Sequence, residues 1–581
     1  MCVGYAQGTG IGPVAKQQDD LGQMTQTPDN AFSKRLLSHF RTRSGQRAAS
    51  IVSATGRIDL TFADVERDCR RYGGAYRDAG LSAGDTVLIF LRHVPELYGS
   101  FYGAMLGGYV PSLMPCTSPR QDPVLYWKSH DKLLRKIRPA AIVASADTFA
   151  EMEGAGLDLG PIRKIASEDV AASEAMGEFA PAGPETVALL QHSSGTTGLK
   201  KGVRLSFQAI LNQVEAYSAA LQASDDDRVV SWLPLYHDMG LIACMITPIW
   251  LGIPVTHIDP FHWLTRPAML LNLLVEDEGT LCWLPNFAFE HLALTSGRNA
   301  ANHDLSRVRA FINCSEPCKP ATFDRFTEAF AASGVRPKQL QCCYAMAETV
   351  FAVTQSPMGG LPARVTIDAD RMRLTGEIAD AGPETANALE LISSGPVLPG
   401  LTVEIRDDQR KDLGRRRVGE IAISGSFLFD GYNEDPERTA QKLAGGFYHT
   451  GDKGFFVGDE LFVLGRTDDL IIINGRNIYC HEAESELGGI QGLKPGRAVV
   501  LGHEDVKIGS QVMLIIAERD PAAEALDEPA IRRQISDRMF SLFQVMPRAV
   551  EIVEPGWLIK TTSGKIGRAA NLAKYLNQKP G

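Results

Sequence analysis

The chain has 581 residues, enough for more than one domain, and its 44% hydrophobic and 22% charged content is ordinary for a water-soluble globular protein. A net charge of −10 argues against a surface built to grip nucleic acid. Its ten cysteines, with Cys342 beside Cys343 and Cys314 near Cys318, make neither a disulfide framework nor the C-x-x-C pairs of a zinc site, so free thiols in a reducing compartment are expected.

Residues 1–30 are rich in Gly, Gln and Thr and read as a flexible leader. They lack the charged start and apolar run of a signal peptide, so a cytoplasmic setting is expected. Phe32–Phe40 reads as a helix with a basic, solvated face. From about residue 58 strands and helices alternate: a helix near Phe62–Ala79, a strand Thr86–Leu91, a helix near Pro95–Leu106 and a strand Ala140–Ala144. Thr186–Leu190 is a short buried strand, and Ser206 is placed to cap a helix beginning at Phe207. Further strands fall at Arg228–Leu233, Thr280–Leu284 and Arg309–Asn313. Met239–Thr256 carries no formal charge, but Pro248, Gly252 and Pro254 interrupt it, which fits a buried helix followed by a buried strand rather than a membrane span.

Pro357, Gly359, Gly360 and Pro362 open a looser stretch that reads as an insertion near 355–378, with short strands at Arg364–Asp368 and Arg371–Thr375. A β-rich part follows, through Leu401–Ile405 and Gly419–Ser424. Gly465–Asp469 marks a boundary, and the residues beyond it form a compact α+β unit. The expected class is α/β. A large N-terminal domain (31–467) of helix-covered sheets with a β-rich subdomain precedes a small, mobile α+β C-terminal domain (468–581).

Between the strands Thr186–Leu190 and the cap at Ser206 lies Ser193-Ser194-Gly195-Thr196-Thr197-Gly198, with Lys200 and Lys201 behind it. Small residues present backbone N–H groups, hydroxyls add donors and lysines add charge, a combination suited to a polyphosphate. The stretch does not fit the Walker pattern. Other stretches stand out: the turns after strands Trp232-Leu-Pro-Leu-Tyr-His237-Asp238-Met239-Gly240 and Asn313-Cys-Ser315-Glu316-Pro317, then Tyr344-Ala-Met346-Ala-Glu348 and Tyr448-His-Thr-Gly-Asp452, each ending in a carboxylate, and Thr561-Thr-Ser-Gly-Lys565, a lysine on a glycine turn.

In this order the set resembles the motif series of the adenylate-forming superfamily of acyl-CoA synthetases, luciferases and adenylation domains, over about residues 30 to 575. It is closer still to the fatty acyl-AMP ligases, through Ser231–Ile242, Leu264–Pro267, Pro285–Ala288, Asn474–Tyr479 and the position of the insertion. The resemblance implies ATP-dependent activation of a medium- or long-chain fatty acid to an acyl-adenylate, with release of pyrophosphate. The acyl group then passes to a phosphopantetheinyl acyl carrier protein, or to a carrier domain of a polyketide or non-ribosomal peptide synthase. No nucleic acid and no integral membrane contact are expected.

The resemblance also implies roles. The Ser193–Gly198 loop and Lys201 hold phosphates, and Glu348 places Mg²⁺. Tyr344 and Met346 face Ser315, Glu316 and Pro317 across the adenine. Asp452 takes the ribose hydroxyls with Arg466 assisting. Lys565 is the catalytic lysine, joined in catalysis by Glu348 and His237, and Asp468 is the hinge. Trp232, His237, Asp238 and Met239 take the acyl chain. Two departures bear on the acceptor. Leu470–Ile473 lacks a lysine that many acyl-CoA synthetases carry there, while Gly195–Gly202 has the form common to those synthetases. Cys480 also stands where the family usually has proline. A fatty acyl-CoA synthetase is therefore the alternative, and an inactive acyl- or nucleotide-binding assembly partner is another.

Overall fold

The computed structural model describes residues 30–117, 123–179, 182–193, 201–473, 476–505, 510–523, 527–560 and 566–578. The leader to residue 29, Ser194–Lys200, Asn474–Gly475 and Lys565 lie outside them.

The large sheet has eight strands: β1 (Arg47–Ser53), β2 (Gly56–Thr61), β3 (Val229–Ser231), β4 (Val255–Ile258), β5 (Leu281–Leu284), β6 (Ala310–Asn313), β7 (Leu340–Ala345) and β8 (Ala352–Gln355), in the spatial order β8-β7-β6-β5-β3-β4-β1-β2. The six strands from β7 to β1 run parallel, and only β2 and β8 pair antiparallel at the edges. Strands buried on both faces need apolar side chains throughout, and Leu281, Cys282, Trp283 and Leu284 of β5 are all fully buried. The one polar atom this places in the interior, Trp283 Nε1, donates to the Tyr217 hydroxyl at 2.8 Å. A second, four-stranded parallel sheet is built from Thr86–Phe90, Val110–Leu113, Ala141–Ala144 and Arg163–Ala166. Helix Phe62–Asp78 packs between the sheets on Glu96–Leu106 and starts with a capping box, in which Thr61 and Asp64 each accept the other's backbone N–H. Ser206 caps Phe207–Ala220 as expected, accepting from Ala209 N–H at 3.2 Å.

Met239–Leu251 is a buried helical run followed by β4, also as expected, but its first eight residues are π-helical. Such wider π turns are frequent at functional sites. Asp238 caps this run, accepting from Met239 N–H at 2.7 Å.

Beyond β8 the stretch expected as an insertion opens a hairpin, Arg364–Asp368 against Ala388–Ile392. Between these strands the structure corrects the sequence reading: Ala369–Thr375 is a helix, not a strand at Arg371–Thr375. The alternation Arg371-Met-Arg-Leu imitates a strand. The decisive signals are local: Asp368 accepts from Arg371 N–H at the N-terminus, and Gly376, at φ +71°, ends the helix. A five-stranded antiparallel sheet follows, containing Leu401–Arg406, Gly419–Gly425, Phe447–Val457 and Glu460–Arg466.

After the short turn Thr467–Asp469 come the hairpin Leu470–Ile473/Arg476–Tyr479, a three-stranded sheet (Leu493–Asp505, Ser510–Arg519, Ala549–Val553) and the helices Cys480–Glu486, Glu528–Phe543 and Arg568–Gln578. This unit has a core of its own around Ile478, Ile515, Ile535 and Met539. It meets the insertion helix at Arg373, whose buried guanidinium pairs with Glu482, donates to Leu542 O at 3.3 Å and stacks 4.8 Å from the Phe543 ring. Arg476 adds an ion pair to Asp370 at 3.1 Å.

Within the same unit Arg568 bridges Asp469 (3.2 Å) and Glu484 (2.7 Å). Burial pushes the Glu484 carboxyl up to about 7, against the pull of Arg568. A carboxyl raised on folding takes up a proton in the folded state before it does so in the unfolded chain. Its contribution is therefore fully present only below the ordinary carboxylate range and is lost as pH rises through about 7. The melting temperature of the protein relative to a Glu484→Gln variant should thus rise as pH falls from about 7 towards 4.5. A pH-independent difference in parallel thermal melts would contradict the assignment.

Candidate active site

Parallel strands release their chains at one edge, where ligands of open α/β sheets bind. Here β3, β6 and β7 end together, and each runs into one of the polar turns singled out in the sequence. Two residues just beyond those ends have positive φ although they are not glycine: Ser315 at +72° after β6 and Val350 at +63° after β7. Such strain costs about 1–3 kcal/mol per residue and concentrates at functional sites.

Side chains tie the turns to one another. The Ser315 hydroxyl donates to Met239 Sδ at 3.8 Å, joining the turn after β6 to the start of the π-helical run. Glu316 is drawn to the neighbouring strand end, accepting from Phe287 N–H at 2.9 Å. Pro317 follows in the same turn. Gln191, on the strand Val187–Ser193, donates to Tyr236 O at 2.8 Å and so anchors the approach to the Ser193–Gly198 stretch beside the turn after β3. Of that stretch, Ser194, Gly195, Thr196, Thr197 and Gly198 lie outside the described residues. Lys201 opens the returning strand Lys201–Ser206.

Two polar groupings form the rest of the site. In the first, the Tyr344 hydroxyl donates to Asp452 Oδ2 at 2.5 Å, and Arg466 Nε lies 3.8 Å from Asp452 Oδ1. Asp452 and Arg466 face each other across two antiparallel strands, which fixes their separation. Burial pushes the Asp452 carboxyl up, and the Arg466 guanidinium pulls it back towards the ionised form. In the second, Glu348 is buried, and its Oε1 accepts from the Tyr432 hydroxyl at 2.8 Å. Lys201 Nζ stands 5.4 Å from the centre of the Tyr432 ring, a cation–π contact. Burial lowers the Lys201 ammonium while Glu348 raises it. Met346 sits between the groupings, its N–H donating to Phe351 O at 2.8 Å.

His237 and Asp238 lie apart from these groupings, in the turn after β3. His237 Nδ1 is 2.6 Å from Asp238 Oδ1, and the same carboxylate caps the π-helical run. Trp232 is buried and stacks on Trp263 at 3.8 Å with the rings 9° from parallel. Asp468 occupies the short turn directly after Arg466. Lys565 lies outside the described residues. Sequence reasoning missed Tyr432 and Trp263. Tyr432 has no motif around it and is found only through Glu348, 84 residues away; Trp263 directly precedes Leu264–Pro267, and its stacking partner Trp232 shows where it belongs.

The cluster thus offers an aromatic face at Tyr344, a carboxylate–guanidinium pair able to meet vicinal hydroxyls, and a buried carboxylate near Lys201. Comparison with known proteins points the same way. The sequence pattern of the AMP-binding enzyme family matches residues 38–433. The long-chain-fatty-acid–AMP ligase FadD32 of Mycolicibacterium smegmatis is 30% identical, over 89% of this chain and 89% of its own. A solved structure from work on fatty acyl-adenylate ligases from E. coli and L. pneumophila superposes with a TM-score of 0.85 at 24% identity, covering 94% of this chain and 97% of that one. McyG A-PCP complexed with phenylalanyl-adenylate superposes at 0.81 with 21% identity, over 94% and 83%.

Tyr432→Phe leaves Glu348 Oε1 without its hydroxyl donor. The expected cost is about 1–3 kcal/mol, read as a lower denaturant midpoint with an unchanged slope. An unaltered midpoint would mean that the hydrogen bond carries no net stability.

Proposed function

The chain belongs to the AMP-binding enzyme family, and from that premise we propose that it activates a medium- or long-chain fatty acid with ATP and passes the acyl group to a carrier protein. The observation that carries this reading is the meeting of Tyr344, Asp452 and Arg466 beside Glu348 and Lys201. FadD32 supports the acyl class of the substrate.

A carboxylate oxygen of the fatty acid attacks the α-phosphorus of ATP. The bond from that phosphorus to its bridging oxygen breaks, and pyrophosphate leaves. Two anions must be brought together, so the protein's work is positioning and charge neutralisation. In this reading Tyr344 lies against adenine, opposite the Ser315–Pro317 turn. Asp452, oriented by Tyr344 and Arg466, accepts from the ribose hydroxyls, and a carboxylate can take two such bonds at once. Lys201 and the Ser193–Gly198 loop face the leaving pyrophosphate, and Lys565 spans the substrate carboxylate and the α-phosphate. The turn carrying Trp232, His237, Asp238 and Met239 receives the carboxyl end of the acyl chain. Mg²⁺ favours oxygen donors, and Tyr432 engages only Oε1 of Glu348, so this carboxylate suits the ion, which would neutralise phosphate charge when bound.

In the second half-reaction the phosphopantetheine thiol attacks the acyl carbonyl and AMP leaves. Asp468 is the hinge about which residues 468–581 turn. A carrier protein is preferred over coenzyme A because Leu470–Ile473 offers no lysine and because Arg373 of the insertion holds the small unit. Among the described residues no helix is long and apolar enough to cross a membrane, and we place the reaction in the cytoplasm.

The test supplies ATP, Mg²⁺ and a panel of fatty acids, with coenzyme A or a phosphopantetheinylated carrier protein as acceptor. Pyrophosphate release and acyl-carrier formation are expected, with little acyl-CoA. Rapid acyl-CoA formation would favour the acyl-CoA synthetase, and no pyrophosphate release with any acid would favour the inactive partner. Lys565→Ala should lower the adenylation rate by about 10²-fold or more while nucleotide still binds. Arg373→Ala strips Glu482 of a buried partner, and losing one member of such a pair costs about 3–5 kcal/mol. Acyl-CoA formation by this variant should rise relative to acyl-carrier formation. An unchanged ratio would remove the insertion from acceptor choice.

A further inference from the structure

In the helix Arg568–Gln578 only Asn571 is fully buried. A polar side chain in such a place costs free energy unless its groups find partners, and asparagine is a poor helix former besides. Its bonds all go to backbone. Asn571 Oδ1 accepts from Ile559 N–H at 2.8 Å, and Nδ2 donates to Ile559 O and to Gly567 O, both at 2.9 Å. Gly567 N–H also donates to Ile559 O at 3.0 Å, and Lys560 and Ile566 pair in a single antiparallel bridge. One amide thus fastens both arms that flank residues 561–565.

Other side chains of the C-terminal unit hold the incoming arm. Glu518, fully buried on the central strand Ser510–Arg519, accepts from Leu558 N–H at 3.0 Å through Oε1, and its Oε2 lies 3.5 Å from Arg497 Nε. Lys574, on the same helix as Asn571, donates to Trp557 O at 2.6 Å and stands 4.1 Å from the centre of that indole. Trp557, Leu558 and Ile559 are therefore each fastened by a side chain: Lys574, Glu518 and Asn571 in turn. Of the three, only Asn571 also reaches the outgoing arm, at Gly567.

We infer that Asn571 is a positioning residue for adenylation: it sets the two arms from which Lys565 is carried and acts on the reaction through that lysine. This role rests on the one proposed above for Lys565, which lies outside the described residues. Its covalent neighbour Ile566 and the next residue, Gly567, are described, and both belong to the fastened arm. Consecutive Cα atoms are about 3.8 Å apart, so the placement of Ile566 limits where the ammonium reaches. A lysine that meets a carboxylate and a phosphate together gains from such a frame, because a misplacement of about 1 Å can cost about 10²-fold in rate. The grip on ATP does not depend on it, since Lys201, Tyr344, Asp452 and Arg466 stand on other strands.

Pyrophosphate release is followed for the full-length chain, for Asn571→Ala, for Lys565→Ala and for the double variant. Acyl transfer from a chemically prepared acyl-adenylate to the carrier protein is assayed separately. Asn571→Ala should lower kcat for pyrophosphate release by about tenfold or more, with the KM for ATP and the transfer step unchanged. Added to Lys565→Ala it should cost nothing further, as befits two residues that act as one unit. Asn571→Asp, of nearly the same shape, keeps the acceptor for Ile559 N–H and sets an oxygen against both carbonyls. It should slow adenylation likewise, and it carries the test if the alanine variant does not fold. Exchange of the Ile559 amide hydrogen should quicken in Asn571→Ala without any substrate present. An equal loss in both half-reactions, a further loss on top of Lys565→Ala, or unaltered exchange would overturn the inference. A chain that Lys565→Ala does not impair, or that releases no pyrophosphate at all, would overturn the lysine's role and this one with it. The failure proper to Asn571 is a chain slowed by Lys565→Ala and indifferent to Asn571→Ala.

Discussion

One hydrogen bond, from the Tyr344 hydroxyl to Asp452, joins the end of a parallel strand to an antiparallel sheet 108 residues further along the chain. Much of the site's geometry depends on it. Asp452 is a carboxylate in a place that disfavours charge, and it stays poised there because Tyr344 donates to one oxygen while Arg466 faces the other. Removing either partner strands a half-buried anion, a costlier loss than the bond alone suggests. The antiparallel strands in turn hold Arg466 in register opposite Asp452. The pairing thus links the two sheet systems and places an acceptor at their junction in the same act.

Much of this is legible in the sequence. The alternation of apolar strands and helices announced an α/β fold. Ser206, Pro248 and Gly252 gave their signals locally, because capping and helix breaking depend on residues within a turn of each other. The turns at Trp232 and Asn313 are legible because they follow strands, whereas Asp452 lies inside one, Phe447–Val457. What stayed hidden is long-range. Tyr432 sits in Asp430-Gly-Tyr-Asn, a stretch that reads as an ordinary turn, and its meaning lies in Glu348. Trp263 likewise acquires its role from Trp232. The Arg371–Thr375 error was of another kind: the side-chain alternation was real, and the caps at Asp368 and Gly376 outweighed it.

A short helix, Ala369–Thr375, is tied to a much larger unit. It has seven residues and little helix-forming strength of its own, so it depends on tertiary contacts. Arg373 supplies several at once: charge to Glu482, a hydrogen bond to a helix-end carbonyl and a flat face to Phe543. Together with Arg476–Asp370 these contacts bind the insertion and the C-terminal unit into mutual support. A rotation of that unit would have to break a buried guanidinium's whole set of partners together, which makes the motion a two-position event rather than a gradual drift.

The stacked pair Trp232–Trp263 has an optical consequence. Two indoles 3.8 Å apart and nearly parallel couple their electronic transitions, whereas isolated tryptophans absorb independently. With six tryptophans in the chain, this coupling should stand out in far-ultraviolet circular dichroism, where the intense indole transition lies, as a paired band of opposite signs. Any ligand that parts or tilts the rings would collapse the band. The protein therefore carries an intrinsic, label-free reporter at the turn after β3, sensitive to events that leave its overall fold untouched.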